Sequence, residues 1–383
     1  MVEKTQDNQG LVADALVSVN PVMEMFVENE EFLNVSGFVM GLAEKYDGDK
    51  RVFEDVEVAQ DFSRRLLLFE TRLNQNLLKL ERYVQEGKIE RFFSEGWQGR
   101  FREISYLAFF VHYGQKRTAE VDDQTGEDLD YVFHPMRVAC SDHAQKIGLL
   151  NESSLSASML HDVLEDVHKG FLMGGEIGIS EQHHSQVVKD LAKYIASIYD
   201  FETGRNVVTD VARMSKNPDV KRRSRVRPVF NLLASTCFAV QDIDRWGALR
   251  AIFALLDKMA DVLDNIPSVR FSKRQDVDTD KQKMIEIRDE AIFLYLPLMQ
   301  KFGMLNAIEW LYDFLYYSDH EKRREAYKRG DELLEEEDLL DLFQKDFQLF
   351  MDEECPGAME GVDYVIKFRP RSLGRRSISK SAD

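Results

Sequence analysis

Residues 153–170 read SSLSASMLHDVLEDVHKG. The stretch has the Leu, Met and Ala content of a helix, and Ser153 or Ser154 is expected to cap it. His161 and Asp162 sit among apolar neighbours, Leu160, Val163 and Leu164. At roughly 100° per residue, His161, Asp162, Glu165 and Asp166 fall near 0°, 100°, 40° and 140°. Four ionisable groups then share one sector of an otherwise apolar helix. Burying three carboxylates together is costly unless a cation neutralises them. A divalent metal is the simplest neutraliser, and the pairing of imidazole nitrogen with carboxylate oxygen suits Mn, Fe or Zn. Past the helix, Gly170, Gly174, Gly175 and Gly178 are expected to form a flexible loop.

One helix cannot complete a metal's shell, and the flanking sequence offers two more candidates. Upstream, His134 lies in FHPMRVA (133–139), at the start of an expected helix. Downstream, Asp261 lies in LLDKMADVLDNI (255–266), another apolar helix. Between His134 and the helix that precedes it, VDDQTGEDLD (121–130) is too polar to be anything but a loop. That preceding helix, Phe101–Gly114, is expected to end near its glycine, with His112 packed structurally at the end. His…His-Asp…Asp is the ligand pattern of the HD-type metal phosphohydrolases.

The whole chain is compatible with such an enzyme. Its 383 residues suggest two domains, or one with appendages. Fifty Lys and Arg against 68 Asp and Glu give a net charge of −18, which speaks against general nucleic-acid binding. Apolar runs such as Ala291–Met299 are far too short to span a bilayer, and the N-terminus has no secretory pattern. Three scattered cysteines, Cys140, Cys237 and Cys355, argue against a disulfide framework and for a reducing cytoplasm. Eight prolines and abundant Leu, Glu, Lys and Met favour helices throughout.

Within residues 1–94, Val56–Glu86 carries Leu66, Leu67, Leu73, Leu77, Leu80 and Tyr83 at helical spacing. This face is read as a structural cover, the other reading being a surface for a protein partner or self-association. Between Arg213 and Arg227 lie seven basic residues and one acid, an island read as a solvated loop rather than a phosphate funnel. His183-His184 is read as an exposed loop pair, not a second metal site.

Five segments, in order, resemble the hydrolase domain of the RelA/SpoT homologues, enzymes that make and degrade the alarmone (p)ppGpp. FFVHYGQKRT (109–118) resembles the family's AHxGQxRKSG, and FHPMRVA its HPxxVA. SMLHDVLEDV (158–167) resembles LLHDVVEDT, and LLDKMADVLDNI resembles IKLADRLHNM. IFLYLPLMQKFGM (292–304) resembles FxPLAxRLGI. The resemblance implies an all-α HD-domain phosphohydrolase bundle with an N-terminal helical extension. It implies metal ligands at His134, His161, Asp162 and Asp261, usually for Mn2+, and a catalytic acid pair at Glu165 and Asp166. It also implies contacts to guanosine tetra- or pentaphosphate from Arg117, Asn265 and Ser268. The implied reaction is hydrolysis of the 3′-pyrophosphate.

Departures exist. The lysine and serine after the family's arginine are Thr118 and Ala119, and its LHNM reads Leu263-Asp264-Asn265-Ile266. Two other readings therefore stay open: the same site acting on another 3′-phosphorylated nucleotide such as ppApp or NADPH, and a catalytically silent module that senses nucleotide or binds protein. The expected organisation is an extension over 1–94, the hydrolase domain with following helices over 95–345, and an acidic helix with a basic, unstructured tail over 346–383. That tail, KFRPRSLGRRSISK (367–380), resembles the opening of the family's synthetase domain, GRPKxxYSIxxK, so no alarmone synthesis is expected.

Overall fold

The computed structural model describes residues 12–86, 93–121, 128–140, 151–214 and 256–265, together with the single residues 295, 296, 299, 308 and 311. The chain divides into two compact units, Met1–Gln275 and Asp276–Asp383. In the second, Tyr295, Met299 and Leu311 are buried. The basic island beyond Met214, Ser268, most of 292–304, the acidic helix and the tail lie outside the described residues.

The first unit is mostly helical. Its helices are α1 (12–19), α2 (Glu30–Lys45), α3 (Val56–Glu86), α4 (Trp97–His112), α5 (Phe133–Cys140), α6 (Glu152–Leu160), the single turn α7 (Val163–Asp166), α8 (His184–Ile198), α9 (Phe201–Met214) and α10 (256–265). None of the described helices is long and apolar enough to cross a membrane.

α3 has the bounds its periodicity suggests. At 31 residues it is about 46 Å long. Ala59, Phe62, Leu66, Phe69, Leu73, Leu77, Leu80 and Val84 are buried on one face, while Leu67 and Tyr83 flank it half-buried. That face meets α4, which is buried over nearly its whole length from Phe101 to His112, as suits a central helix. Phe62 joins them: its ring lies 5.2 Å from Phe109, 5.1 Å from Phe110 and 4.9 Å from Tyr113, in tilted and edge-on geometries. One apolar core therefore runs from Val12 to Met214, continuous across residue 94. The one buried acid of α3, Glu70, accepts hydrogen bonds from Tyr106 Oη (2.7 Å), Asn74 Nδ2 (2.9 Å) and Arg102.

Three local expectations are corrected. Asn151, not Ser153 or Ser154, caps α6: its side chain accepts from the Ser154 amide at 2.9 Å. The polar stretch 121–130 is not all loop. Lys116–Val121 (β1) and Asp128–Asp130 (β2) pair antiparallel, with Arg117 opposite Leu129. Charged residues hid these strands, because only Leu129 of β2 needs burial. Finally, the glycine-rich stretch is held in place: a Cβ on Gly170 would meet the Val111 carbonyl oxygen at 1.7 Å, so only glycine allows this close approach to the end of α4. His183 and His184 are half-buried, the first at the N-cap of α8 and the second its first residue, and the His183 ring lies 5.1 Å from that of Tyr46.

Candidate metal centre

His161 and Asp162 occupy a break rather than the middle of a helix. α6 stops at Leu160 and α7 resumes at Val163, with Asp162 at φ −100°, ψ −7°. On an unbroken helix these neighbours would diverge by about 100°. The loosened turn instead brings Asp162 Oδ2 to 3.0 Å from His161 Nε2. The Asp166 amide still bonds the Asp162 carbonyl at 2.8 Å, so the next turn follows directly.

Two other elements complete the cluster. α5 packs on α6 and brings His134, while α10 brings Asp261. His134 Nε2 lies 3.1 Å from Asp261 Oδ1 and 3.8 Å from Asp162 Oδ2, and His161 Nε2 lies 3.6 Å from Asp261 Oδ1. The donor atoms of His134, His161 and Asp261 all lie within 4.8 Å of one another, and all three residues are buried. No other such group converges among the described residues. Donors bound about 2.0–2.2 Å from one ion lie on the order of 3.0–3.6 Å apart, so the observed separations fit a single divalent metal. This group can hold a metal ion.

The rings are aimed for that task. His161 Nδ1–H donates to the Ser158 carbonyl at 2.7 Å, and His134 Nδ1–H donates to Asp264 Oδ2 at 2.7 Å, which leaves Nε2 of each ring facing the carboxylates. The carboxylates are anchored too. Asp162 Oδ2 accepts from Tyr131 Oη at 2.7 Å. Asp261 accepts from Asn265 Nδ2 at 2.6 Å and from Lys258.

Electrostatics follow from this crowding. Burial opposes a charged His161 ring, but the Asp162 and Asp261 carboxylates outweigh it and push the ring up to about 10. Burial alone would raise Asp162, yet the His161 charge and hydrogen bond hold it well below the usual carboxylate range. Burial likewise opposes an ionised Asp261, and Lys258 and the two imidazoles win. Asp257, one turn earlier on α10, goes the other way: burial pushes it well up, its Oδ1 accepts from Ser158 Oγ at 2.8 Å, and its Oδ2 has no hydrogen-bond partner.

The remaining expected site residues are placed as follows. Arg117, buried on β1, donates to Asp264 Oδ2 at 3.0 Å and to Asn265 Oδ1 at 2.6 Å, so Arg117 and Asn265 join the cluster. Asp166 is buried and pairs with Lys169; Glu165 is half-buried. His112 is buried at the end of α4, where its ring lies 5.0 Å from that of Tyr131 and Nδ1–H donates to Gln115 Oε1 at 3.2 Å. Burial lowers its pKa.

Five supporting residues went unread in the sequence: Tyr131, Arg137, Ser158, Lys258 and Asp264. A signal for them existed. Tyr131 and Arg137 lie three residues either side of His134, Lys258 and Asp264 three either side of Asp261, and Ser158 three before His161. That is the spacing of one helical face, although Tyr131 itself lies in the turn before α5.

The sequence matches no protein-family model and no curated protein.

Proposed function

We propose that this chain is a divalent-metal phosphohydrolase of the HD type that releases pyrophosphate from the 3′ position of (p)ppGpp. The observation that carries the reading is the convergence of His134, His161, Asp162 and Asp261, residues up to 127 apart in sequence, on one spot with ligand-like separations. The order of the five segments that resemble the RelA/SpoT hydrolases supports the choice of substrate, and the mostly helical frame supports an HD bundle.

His134, His161, Asp162 and Asp261 would hold the ion, with Mn2+ favoured by the resemblance. Bound there, a divalent ion supplies Lewis-acid chemistry that acidifies water and polarises a phosphoryl oxygen. Glu165 and Asp166, one turn after the ligands, hold the attacking water and take its proton. Arg117 and Asn265, with Ser268 beyond the described residues, face the nucleotide. The cations Arg117, Arg137 and Lys258 around the cluster offset the charge that develops on the leaving pyrophosphate. A reducing cytoplasm is the proposed setting.

The test is pyrophosphate release from ppGpp with Mn2+. Wild type is expected to turn over, and Asp162→Ala and Glu165→Gln to lose at least about 100-fold in kcat. Tight nucleotide binding without turnover would instead identify a silent sensing module. Faster cleavage of ppApp or NADPH would move the substrate while keeping the chemistry.

A further inference from the structure

We propose that Asp264 is the positioning carboxylate of the metal centre, the group that sets the tautomer and aim of His134 and locks Arg117 to the same point. This rests on reading the cluster as a metal centre, and extends it to a residue that touches neither metal nor substrate.

The observations are local and dense. Asp264 follows Asp261 by three residues on α10, so both carboxylates leave the same face. Asp261 turns toward the Nε2 edge of the His134 ring, at 3.1 Å, and Asp264 receives the Nδ1 edge, at 2.7 Å. One helix thus grips the imidazole from both nitrogens. Asp264 is itself pinned: Arg137 donates to Oδ1 from Nε at 2.9 Å and to Oδ2 from Nη2 at 3.0 Å, a two-pronged fork, and Arg117 Nη1 donates to Oδ2 at 3.0 Å. Its partners come from β1 and α5, so one carboxylate ties the hairpin and the His134 helix to the helix of Asp261.

The physical consequence is specific. A neutral imidazole has one N–H, and the nitrogen that keeps it cannot bind a metal. With Nδ1–H committed to Asp264, Nε2 is the ligand, and the ring plane is held before any ion arrives. Without Asp264, Nδ1 loses its acceptor and the ring its restraint, and the Arg117 and Arg137 bonds to this carboxylate are lost. Loss of such a supporting carboxylate weakens metal binding by about 10–100-fold.

The experiment is calorimetric titration of the metal-free full chain with Mn2+ and with Zn2+, for wild type, Asp264→Ala and Asp264→Asn, alongside thermal melts. Expected is a loss of affinity of about 10-fold or more in Asp264→Ala and a smaller loss in Asp264→Asn, whose amide oxygen still accepts from Nδ1–H. Wild-type affinity in a folded Asp264→Ala chain overturns the inference, as does an Asn variant that loses as much as the Ala variant. Should Asp264→Ala not fold, Asp264→Asn decides alone: a loss of about threefold or more supports the assignment and any smaller loss overturns it. A wild-type chain that takes up neither ion overturns the metal reading as well, and so separates the two failures.

Discussion

The His161 ring, pushed up to about 10 between Asp162 and Asp261, carries a proton at neutral pH in the metal-free chain. A metal ligand must be deprotonated, so ion and proton compete for the same nitrogen. Binding near pH 7.5 is therefore expected to release close to one proton, and affinity to rise with pH until the ring titrates. Calorimetry in two buffers of different ionisation enthalpy measures this directly; no buffer dependence would contradict it. The sign for stability is opposite. A ring whose folded pKa lies above its unfolded value of about 6.5 stabilises the metal-free fold fully below that pH. The contribution fades as pH rises and is gone above about 10. The depressed Asp162 and Asp261 carboxylates contribute above the unfolded carboxylate pKa and lose that contribution in acid.

Elements reach the site through close backbone approaches. Gly170 lies against the Val111 carbonyl near the end of α4, and the Gln115 side chain donates from Nε2 to the Asp166 carbonyl at 3.3 Å just beyond it. A methyl group at position 170 has nowhere to go. Gly170→Ala is expected to destabilise the fold by on the order of 3 kcal/mol, read as a lower denaturation midpoint with an unchanged m value. A midpoint within error of wild type would show that the chain at Gly170 has room to move away from the end of α4. The β1–β2 hairpin is held similarly: Asp130 pairs with Lys116 at 2.8 Å and with Arg65 of α3, which fixes the strand that carries Arg117. The long N-terminal helix thus bears on the site through this salt bridge and its strand, and through Phe69 and Arg72, which pack on the Phe133 ring beside His134.

At the scale of the molecule, α1, α2 and α3 belong to the same core as α4 to α9. Phe62 of α3 touches Phe109, Phe110, Tyr113, Phe53 and Phe171, rings drawn from three separate segments. Phe62→Ala is expected to cost about 3–5 kcal/mol and to lower the melting temperature of the whole Met1–Gln275 unit in one transition. A separate early transition, with the metal site intact above it, would mean that the N-terminal helices melt on their own. Scanning calorimetry distinguishes the two.

Helices and the chemistry-bearing residue types were legible in the sequence because both depend on local rules. The period of Leu66, Leu73, Leu77 and Leu80 marks a buried helix face whatever it packs against. His161 and Asp162 stand out because ionisable groups in an apolar stretch need a reason. The tight seat of Gly170 against the Val111 carbonyl was not legible, since it is set by a neighbour far along the chain; the β1–β2 pairing was hidden by its charged residues, and the break between α6 and α7 left no mark in the sequence. Asp264 shows the division most clearly. As sequence it is a departure from a resembled motif; only folding brings His134, Arg117 and Arg137 to within 3.0 Å of its carboxylate. Composition and spacing decided which groups the chain can bury and on which helices. Tertiary packing decided which of them meet, because a buried charge needs partners beside it, and for His134 and Arg117 the linear order keeps those partners, Asp261 and Asp264, more than a hundred residues away.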